Sequence, residues 1–189
     1  MLTENDTDRI TNLAEELKCH ILSFLPSKDA IRTSVLSSRW RTLWTFVPVV
    51  YFQNDEELLN ERFLQCVKST LTRRDGQPIK KFSLRSDFED RDWLELEACT
   101  NAALNCKVEH LELSNFHLFP PSLLPPSVLT CPTIVVLELM KFLISPSSIT
   151  SPVNWPKLKT LYLYFNTFTS DDIVNFFLRL PCSSTFINV

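Results

Sequence analysis

The sequence predicts a mixed α+β or α/β chain, in which a small N-terminal module of three short helices precedes a short, irregular α/β solenoid of about four repeats. Three observations predict this architecture. Apolar residues recur every four positions between residues 13 and 25, and pairs of apolar residues recur four times between residues 82 and 163. The 189 residues also include 12 prolines but one glycine, which suits short elements joined by stiff connectors.

The first predicted helix is amphipathic. Four residues spaced four apart share one helical face, which two neighbours widen: Leu13, Leu17, Ile21 and Leu25, with Leu22 and Phe24. Thr11 or Asn12 is expected to cap the start of this helix, because their side chains accept hydrogen bonds from free backbone N–H groups. Pro26 is expected to end it.

Two further short helices are expected. Ser27 is placed to cap the second, and Ser37 or Ser38 to open a third that carries Trp40 and Trp44. A module of about forty residues buries too little surface to be stable alone. Its apolar positions outnumber what three short helices can hide, which predicts a surface that binds another protein.

The order of residues in this module follows a specific pattern. It reads LAEELK from residue 13, ILSFLP from residue 21, an aspartate at 29, and LSSRWRTLW from residue 36. This pattern closely resembles the F-box of the plant F-box/LRR (F-box/FBD/LRR-like) family. The resemblance implies docking on a Skp-type adaptor, which joins the F-box to a cullin scaffold in an SCF ubiquitin ligase. It assigns adaptor binding to Leu13, Ala14, Leu17, Ile21, Leu22, Leu25, Pro26, Val35, Leu36 and Trp40.

Two residues depart from the family pattern. Ala14 stands where the family has proline, and Lys18 stands where it has an apolar residue. The proline region touches the adaptor in the family, and Lys18 adds a charge beside the apolar stripe. The two departures are expected to weaken docking without abolishing it.

A connecting segment follows the F-box. Val47 to Gln53 predicts an extended connector or first strand, and residues 55–73 predict an amphipathic helix that Asn54 or Asp55 opens and Gly76 ends. The predicted inner face of this helix consists of Leu59, Phe63, Cys66, Val67 and Leu71.

Four pairs of apolar residues then recur at steps of 29, 26 and 24 residues: Phe82 and Leu84, Leu111 and Leu113, Leu137 and Leu139, and Leu161 and Leu163. These steps are typical of leucine-rich repeats, each with one short strand and a returning segment. Helical returns are expected at 93–104 and 170–180, and a degraded fifth strand near residue 185. The stretch resembles the irregular repeats of plant F-box/LRR proteins, without their further repeats and FBD domain, and marginal stability is expected. A small α+β domain with an ordinary sheet is the alternative.

Side chains alternate along a strand, so the residues between the paired leucines should line the exposed sheet face. Solenoids bind partners on such faces. The candidate target-binding residues are His110, Glu112, Glu138, Met140, Tyr162 and Tyr164. Plain solvated surface is the competing interpretation.

Composition excludes several classes of function. A net charge of −3 gives no case for nucleic acid or an anionic membrane, and one glycine cannot build a phosphate-binding loop. The six cysteines show no paired spacing, and no signal segment precedes them, which predicts free thiols in the cytoplasm, the nucleus or both. Cys99, Cys106, His110 and His117 match no zinc-finger spacing. No metal, cofactor or catalytic residue is expected.

The chain is therefore predicted to have three segments: an F-box at residues 9–48, a linking strand and helix at 49–78, and truncated leucine-rich repeats at 79–189. The chain is expected to be a non-catalytic substrate-recognition subunit of an SCF-type ligase. The alternatives are a protein-binding module outside any ligase, or a decoy with a degraded F-box. A metal-dependent hydrolase is a third hypothesis.

Overall fold

The computed structural model describes residues 10, 12–54, 59–117, 121–145, 153–169, 176, 178, 180 and 185–188, so the candidate cap Thr11 lies outside it. Its α-helices are α1 (Glu15–Leu22), α2 (Ser27–Arg32), α3 (Asn60–Arg73), α4 (Trp93–Asn105) and α5 (Pro126–Leu129). Its strands are β1 (Val49–Gln53), β2 (Lys81–Ser86), β3 (His110–Asn115), β4 (Ser122–Leu123), β5 (Val136–Met140), β6 (Phe142–Ile144), β7 (Thr160–Tyr164), β8 (Thr167–Phe168) and β9 (Thr185–Asn188). None of the described helices is long and apolar enough to span a bilayer.

The strands form two parallel sheets. The larger has the order β1-β2-β3-β5-β7-β9, and the smaller has the order β4-β6-β8. The four repeated apolar pairs lie in matching register across β2, β3, β5 and β7, and all eight residues are buried. The predicted strand near residue 185 is β9, which pairs with β7. The chain is therefore a mixed helix and parallel-sheet protein whose strands fall where the repeated pairs predict them.

The inner face of the large sheet and the faces of α3 and α4 turned towards it form one apolar core. The predicted return helix at 93–104 is α4. The second, at 170–180, lies largely outside the described residues. Within that stretch Phe176 is buried, with its ring centroid 5.5 Å from that of Trp155 and 5.2 Å from that of Phe168.

Asparagine side chains hold the chain where strands end. The side-chain oxygen of Asn115, a fully buried residue, accepts hydrogen bonds from the N–H groups of Phe88 (3.0 Å) and His117 (2.9 Å), and its amide donates to the Phe88 carbonyl (3.1 Å). Asn166 repeats this after β7, accepting from the Phe142 N–H at 2.8 Å. These bonds satisfy backbone N–H and C=O groups at and beyond the ends of the strands.

The third predicted helix of the N-terminal module is not formed. Residues 33–46 instead contain two 3₁₀ turns, and the Trp40 N–H donates to the Ser37 carbonyl at 3.1 Å. Bonds that span three residues are typical of short, tightly wound segments. The tryptophans are nevertheless interior, in a small core that comprises Leu22, Ala30, Trp40, Leu43, Trp44 and Val47.

The predicted helix caps of this module are also wrong. The N-caps of α1 and α2 are Ala14 and Pro26, rather than Asn12 and Ser27. Ser27 is the first residue of α2, and its hydroxyl oxygen accepts a hydrogen bond from the N–H of Tyr51 at 2.7 Å. The side chain is therefore engaged by β1, at the outer edge of the large sheet, instead of by its own helix.

The helix predicted at residues 55–73 begins later than expected. Residues 55–58 lie outside the described part, and α3 has Leu59 as its N-cap. Leu59 and Cys66 are exposed, because the buried face consists of Phe63, Leu64, Val67 and Leu71. Gly76 follows the helix with a φ of +73°, a left-handed conformation that glycine adopts at little cost.

Arg74 joins the N-terminal module to the sheet. Its side chain is 1% exposed, and its guanidinium donates hydrogen bonds to the backbone carbonyls of Trp44 (3.2 Å), Val47 (2.9 Å) and Pro78 (3.4 Å). Burial lowers the pKa of Arg74 from its ordinary value. One side chain thus ties the last turn of the module to the segment that leads into β2.

Candidate adaptor-binding surface and open sheet face

The apolar stripe of α1 faces solvent. Leu17 is 46% exposed and Ile21 is 39% exposed, and Phe24 and Leu25 beyond them are also exposed. The opposite side of the helix packs inward through Leu22, which is fully buried. The four-residue spacing therefore marks an outward apolar face, whereas such a stripe on an ordinary surface helix faces the core.

Further exposed apolar residues lie close by in the chain. Val35 and Leu36, at the end of the first 3₁₀ turn, are 85% and 66% exposed. Of the fourteen large apolar residues that are exposed in the described part of the chain, nine lie within residues 10–50. Six of these residues form the N-terminal apolar surface: Leu17, Ile21, Phe24, Leu25, Val35 and Leu36.

Three expectations for this region need correction. Leu22 and Trp40 were assigned to adaptor binding, but both lie in the small core and support the surface from beneath. Lys18 was placed beside the stripe, but it is 3% exposed and lies on the inward side of α1. A long aliphatic stem lets lysine pack in this way. Of the remaining assigned residues, Leu13 is half-buried, and Ala14 and Pro26 are exposed.

The second candidate surface is the face of the large sheet that points away from the core, called the open face below. Its residues form rows across the strands, since the register places Ser83 opposite Glu112, Glu112 opposite Glu138, and Glu138 opposite Tyr162. The next row contains Arg85, Ser114, Met140 and Tyr164. The open face therefore brings together five of the six candidate target-binding residues in two adjacent rows, and His110 lies in the row before them.

Glu112 differs from the prediction, because its side chain is buried and fully engaged. Its carboxylate accepts hydrogen bonds from Ser83 Oγ (2.9 Å) and Arg85 Nε (2.6 Å), and Lys81 Nζ lies 3.1 Å away. Burial alone raises the pKa of Glu112, but the bonds from Arg85, Ser83 and Lys81 outweigh it, so the pKa lies below its ordinary value. Glu112 organises the open face and offers little to a partner.

Glu112 should make folding stability depend on pH in acid. Since its pKa is lower in the folded chain than in the unfolded one, its contribution is complete above the unfolded value and is lost as the pH falls through the folded value. Glu112→Gln should cost about 1–3 kcal/mol at pH 7, where hydrogen bonds to a charged acceptor are lost. The cost should shrink below about pH 4, near the ordinary carboxyl value.

Urea unfolding at pH 7 and pH 3.5 measures this effect. Glu109→Gln is the matched control, because Glu109 is an exposed carboxylate immediately before β3. An identical acid dependence for wild type and Glu112→Gln would contradict the assignment.

Three of the remaining candidates, Glu138, Met140 and Tyr164, line a cavity, and His110 and Tyr162 contact two of them. His110 Nε2 lies 2.5 Å from Glu138 Oε1, and the rings of Tyr162 and Tyr164 are parallel, with centroids 6.3 Å apart. Beside them a cavity of about 300 Å³ opens on the sheet. Its lining residues are Arg85, Glu112, Ser114, Phe116, Glu138, Leu139, Met140 and Tyr164.

Sequence reasoning missed Phe116 and did not select Arg85 for this site. Phe116 follows β3 directly, is 41% exposed, and lines the cavity. A signal for it exists, because the alternation that places His110, Glu112 and Ser114 on the open face continues to residue 116.

The cysteine and histidine residues considered for zinc do not form a cluster. Cys99 is buried, with its thiol 2.9 Å from the Leu64 carbonyl oxygen, and burial raises its pKa to about 12. Cys106 is buried near its own helix, where its thiol lies 3.5 Å from the Ala102 carbonyl. Among the described residues no three histidine, cysteine or acidic side chains are grouped as metal ligands would be.

Comparison with known proteins gives matches over most of the chain. Residues 10–50 match the F-box domain. An FBD-associated F-box protein of Arabidopsis thaliana is 38% identical over 138 residues, which cover 73% of this chain and 31% of the relative. An F-box/LRR-repeat protein of the same plant is 37% identical over 163 residues (82% and 42%), and a putative F-box/FBD/LRR-repeat protein is 32% identical over 167 residues (88% and 37%). No solved structure gives a significant match. The chain thus spans between 31% and 42% of the length of these relatives.

Proposed function

Because the chain belongs to the plant F-box/LRR-like family, we propose that it is the substrate-recognition subunit of an SCF-type cullin ubiquitin ligase. In this proposal the F-box docks on a Skp-type adaptor, and residues 79–189, as leucine-rich repeats, hold the target. The chain itself is non-catalytic, and ubiquitin transfer takes place on other subunits in the cytoplasm or nucleus.

The observation that carries the proposal is the N-terminal apolar surface. Leu17 and Ile21 lie on a helix whose other side is already packed, and Val35 and Leu36 are more exposed still. Burying a side chain of this size contributes about 1.5–3 kcal/mol, and nothing in the described part of the chain covers these four. An exposed apolar surface of this kind marks a protein interaction site.

The role of the other half follows from proximity. A target held on the open face shares one complex with the ligase, and tethering replaces a rare bimolecular encounter with an effective concentration of about millimolar. The repeats then need affinity and specificity but no chemistry of their own. This fits the open face, where Glu112 is held by Lys81 and Arg85 while Glu138, Met140 and Tyr164 line a cavity.

Co-expression with a Skp-type adaptor, followed by affinity capture of the adaptor and size-exclusion chromatography, tests the proposal. We expect the chain to elute with the adaptor as a one-to-one complex. A folded chain that elutes alone would overturn the proposal.

One observation favours a second candidate function. Ala14 is exposed at the start of α1, with a φ of −58°, and stands where the family has proline. Because the proline region touches the adaptor in the family, its replacement is expected to weaken docking. A chain that no longer docks, or docks without delivering a target, would act as a binding module outside the ligase or as a decoy. Elution without the adaptor would support the first form, and a complex that binds no target would support the second.

A further inference from the structure

The cavity on the open face combines apolar walls with two carboxylates, Glu112 and Glu138. Met140 and Tyr164 lie next to each other across β5 and β7, and Phe116 contributes a second ring. The volume of about 300 Å³ is at the small end of ligand sites, and it suits one long side chain better than a complete small molecule.

The charges in the lining do not cancel. Arg85 is bound to Glu112 through its guanidinium and also lies over the ring of Tyr51, with its Cζ atom 5.3 Å from the ring centroid. Glu112 is thus paired with Arg85 and with Lys81, whose Nζ atom lies 3.1 Å away. Glu138 is the lining carboxylate that contacts no lysine or arginine among the described residues, so it is the negative group that the cavity offers to a partner.

Glu138 and the tyrosines keep free bonding capacity. Glu138 accepts a hydrogen bond from His110 Nε2 through Oε1, and Oε2 has no partner within the described part of the chain. In the same part of the chain, the hydroxyls of Tyr162 and Tyr164 make no hydrogen bonds, and their ring faces are parallel. A carboxylate beside aromatic faces attracts a cation by charge and by cation–π interaction.

We infer that this cavity receives a lysine or arginine side chain from an extended segment of the target protein, which rests on the proposed function. The cationic head lies against Glu138 Oε2 and the face of Tyr164, and the aliphatic stem packs on Met140. The target segment is therefore recognised by a basic residue over β5 and β7.

Methionine labelling gives a direct probe, because the chain contains two methionines and Met140 is the one in the cavity. The full chain, labelled with ¹³C at the methionine methyls, is titrated with Gly/Ser nonapeptides that carry a central arginine, lysine, norleucine or glutamate. We expect saturable shifts of the Met140 methyl with arginine and lysine, and at least fivefold weaker binding with norleucine or glutamate.

Glu138→Gln should weaken binding of the arginine peptide at least fivefold. Glu109→Gln removes the same charge from an exposed position, so it should leave the affinity for this peptide unchanged. The inference would be overturned if the norleucine peptide bound as tightly as the arginine peptide, or if the glutamate peptide bound more tightly. It would also be overturned if Glu138→Gln bound the arginine peptide as wild type does, or if no peptide shifted the Met140 methyl signal. Capture of Glu138→Gln by the Skp-type adaptor separates the two proposals, since docking uses the N-terminal apolar surface and should persist.

Discussion

Replacing Leu17 with glutamate and Ile21 with lysine is expected to abolish capture by a Skp-type adaptor while the chain stays folded. Both side chains lie on the N-terminal apolar surface and are partly exposed. Losing two buried aliphatic contacts removes about 3–6 kcal/mol of binding energy, or at least a hundredfold in affinity. Glutamate four residues before lysine forms a favourable helix pair, so α1 itself should not be weakened.

Isothermal titration with the purified adaptor measures this loss. Leu94→Glu is the matched control, because Leu94 is 71% exposed in the first turn of α4, outside the F-box. Circular dichroism verifies folding in each variant. Wild-type affinity in the double variant would remove α1 from the docking site.

Arg74→Ala is expected to destabilise the chain by about 3 kcal/mol. The change empties a buried volume and leaves three backbone carbonyls, those of Trp44, Val47 and Pro78, without the guanidinium. Unpaired buried acceptors and a new cavity each cost on the order of 1–3 kcal/mol. Because the bonds join the module to the sheet, the loss should appear in both parts of the molecule.

Urea unfolding followed by tryptophan fluorescence measures the loss, and the neighbouring Arg73→Ala serves as control. Arg73 is exposed, so its removal should change the free energy of unfolding by no more than about 0.5 kcal/mol. Equal effects of the two substitutions would show that the buried bonds of Arg74 contribute nothing.

The sheet was the most predictable part of the fold. Paired apolar residues repeated at similar steps determine both the strands and their register, since a slip of one residue would turn Leu111 or Leu137 outward. The orientation of α1 was less predictable. Which side of a helix is buried depends on the elements packed against it, and the sequence does not reveal that Lys18 and Leu22 point inward.

The site was predicted in part for the same reason. Alternation along the strands placed Glu138, Met140 and Tyr164 on one face, as the structure does. Alternation cannot show that the Glu112 carboxylate is already bound by Lys81 and Arg85, because this depends on how far their side chains reach across neighbouring strands. The cavity arises from the resulting arrangement and has no signature in the sequence.

The hydrogen bond from the Tyr51 N–H to Ser27 gives the N-terminal module a second role, at the edge of the sheet. β1 is the outermost strand of its sheet, and a bare outer strand presents backbone donors and acceptors that recruit strands from other molecules. Ser27 occupies one of these donors, and α2 lies beside the strand. The segment that would recruit the ligase thus also covers the outer edge of the sheet. Removing it would abolish docking and would expose an unpaired β-strand edge that favours aggregation.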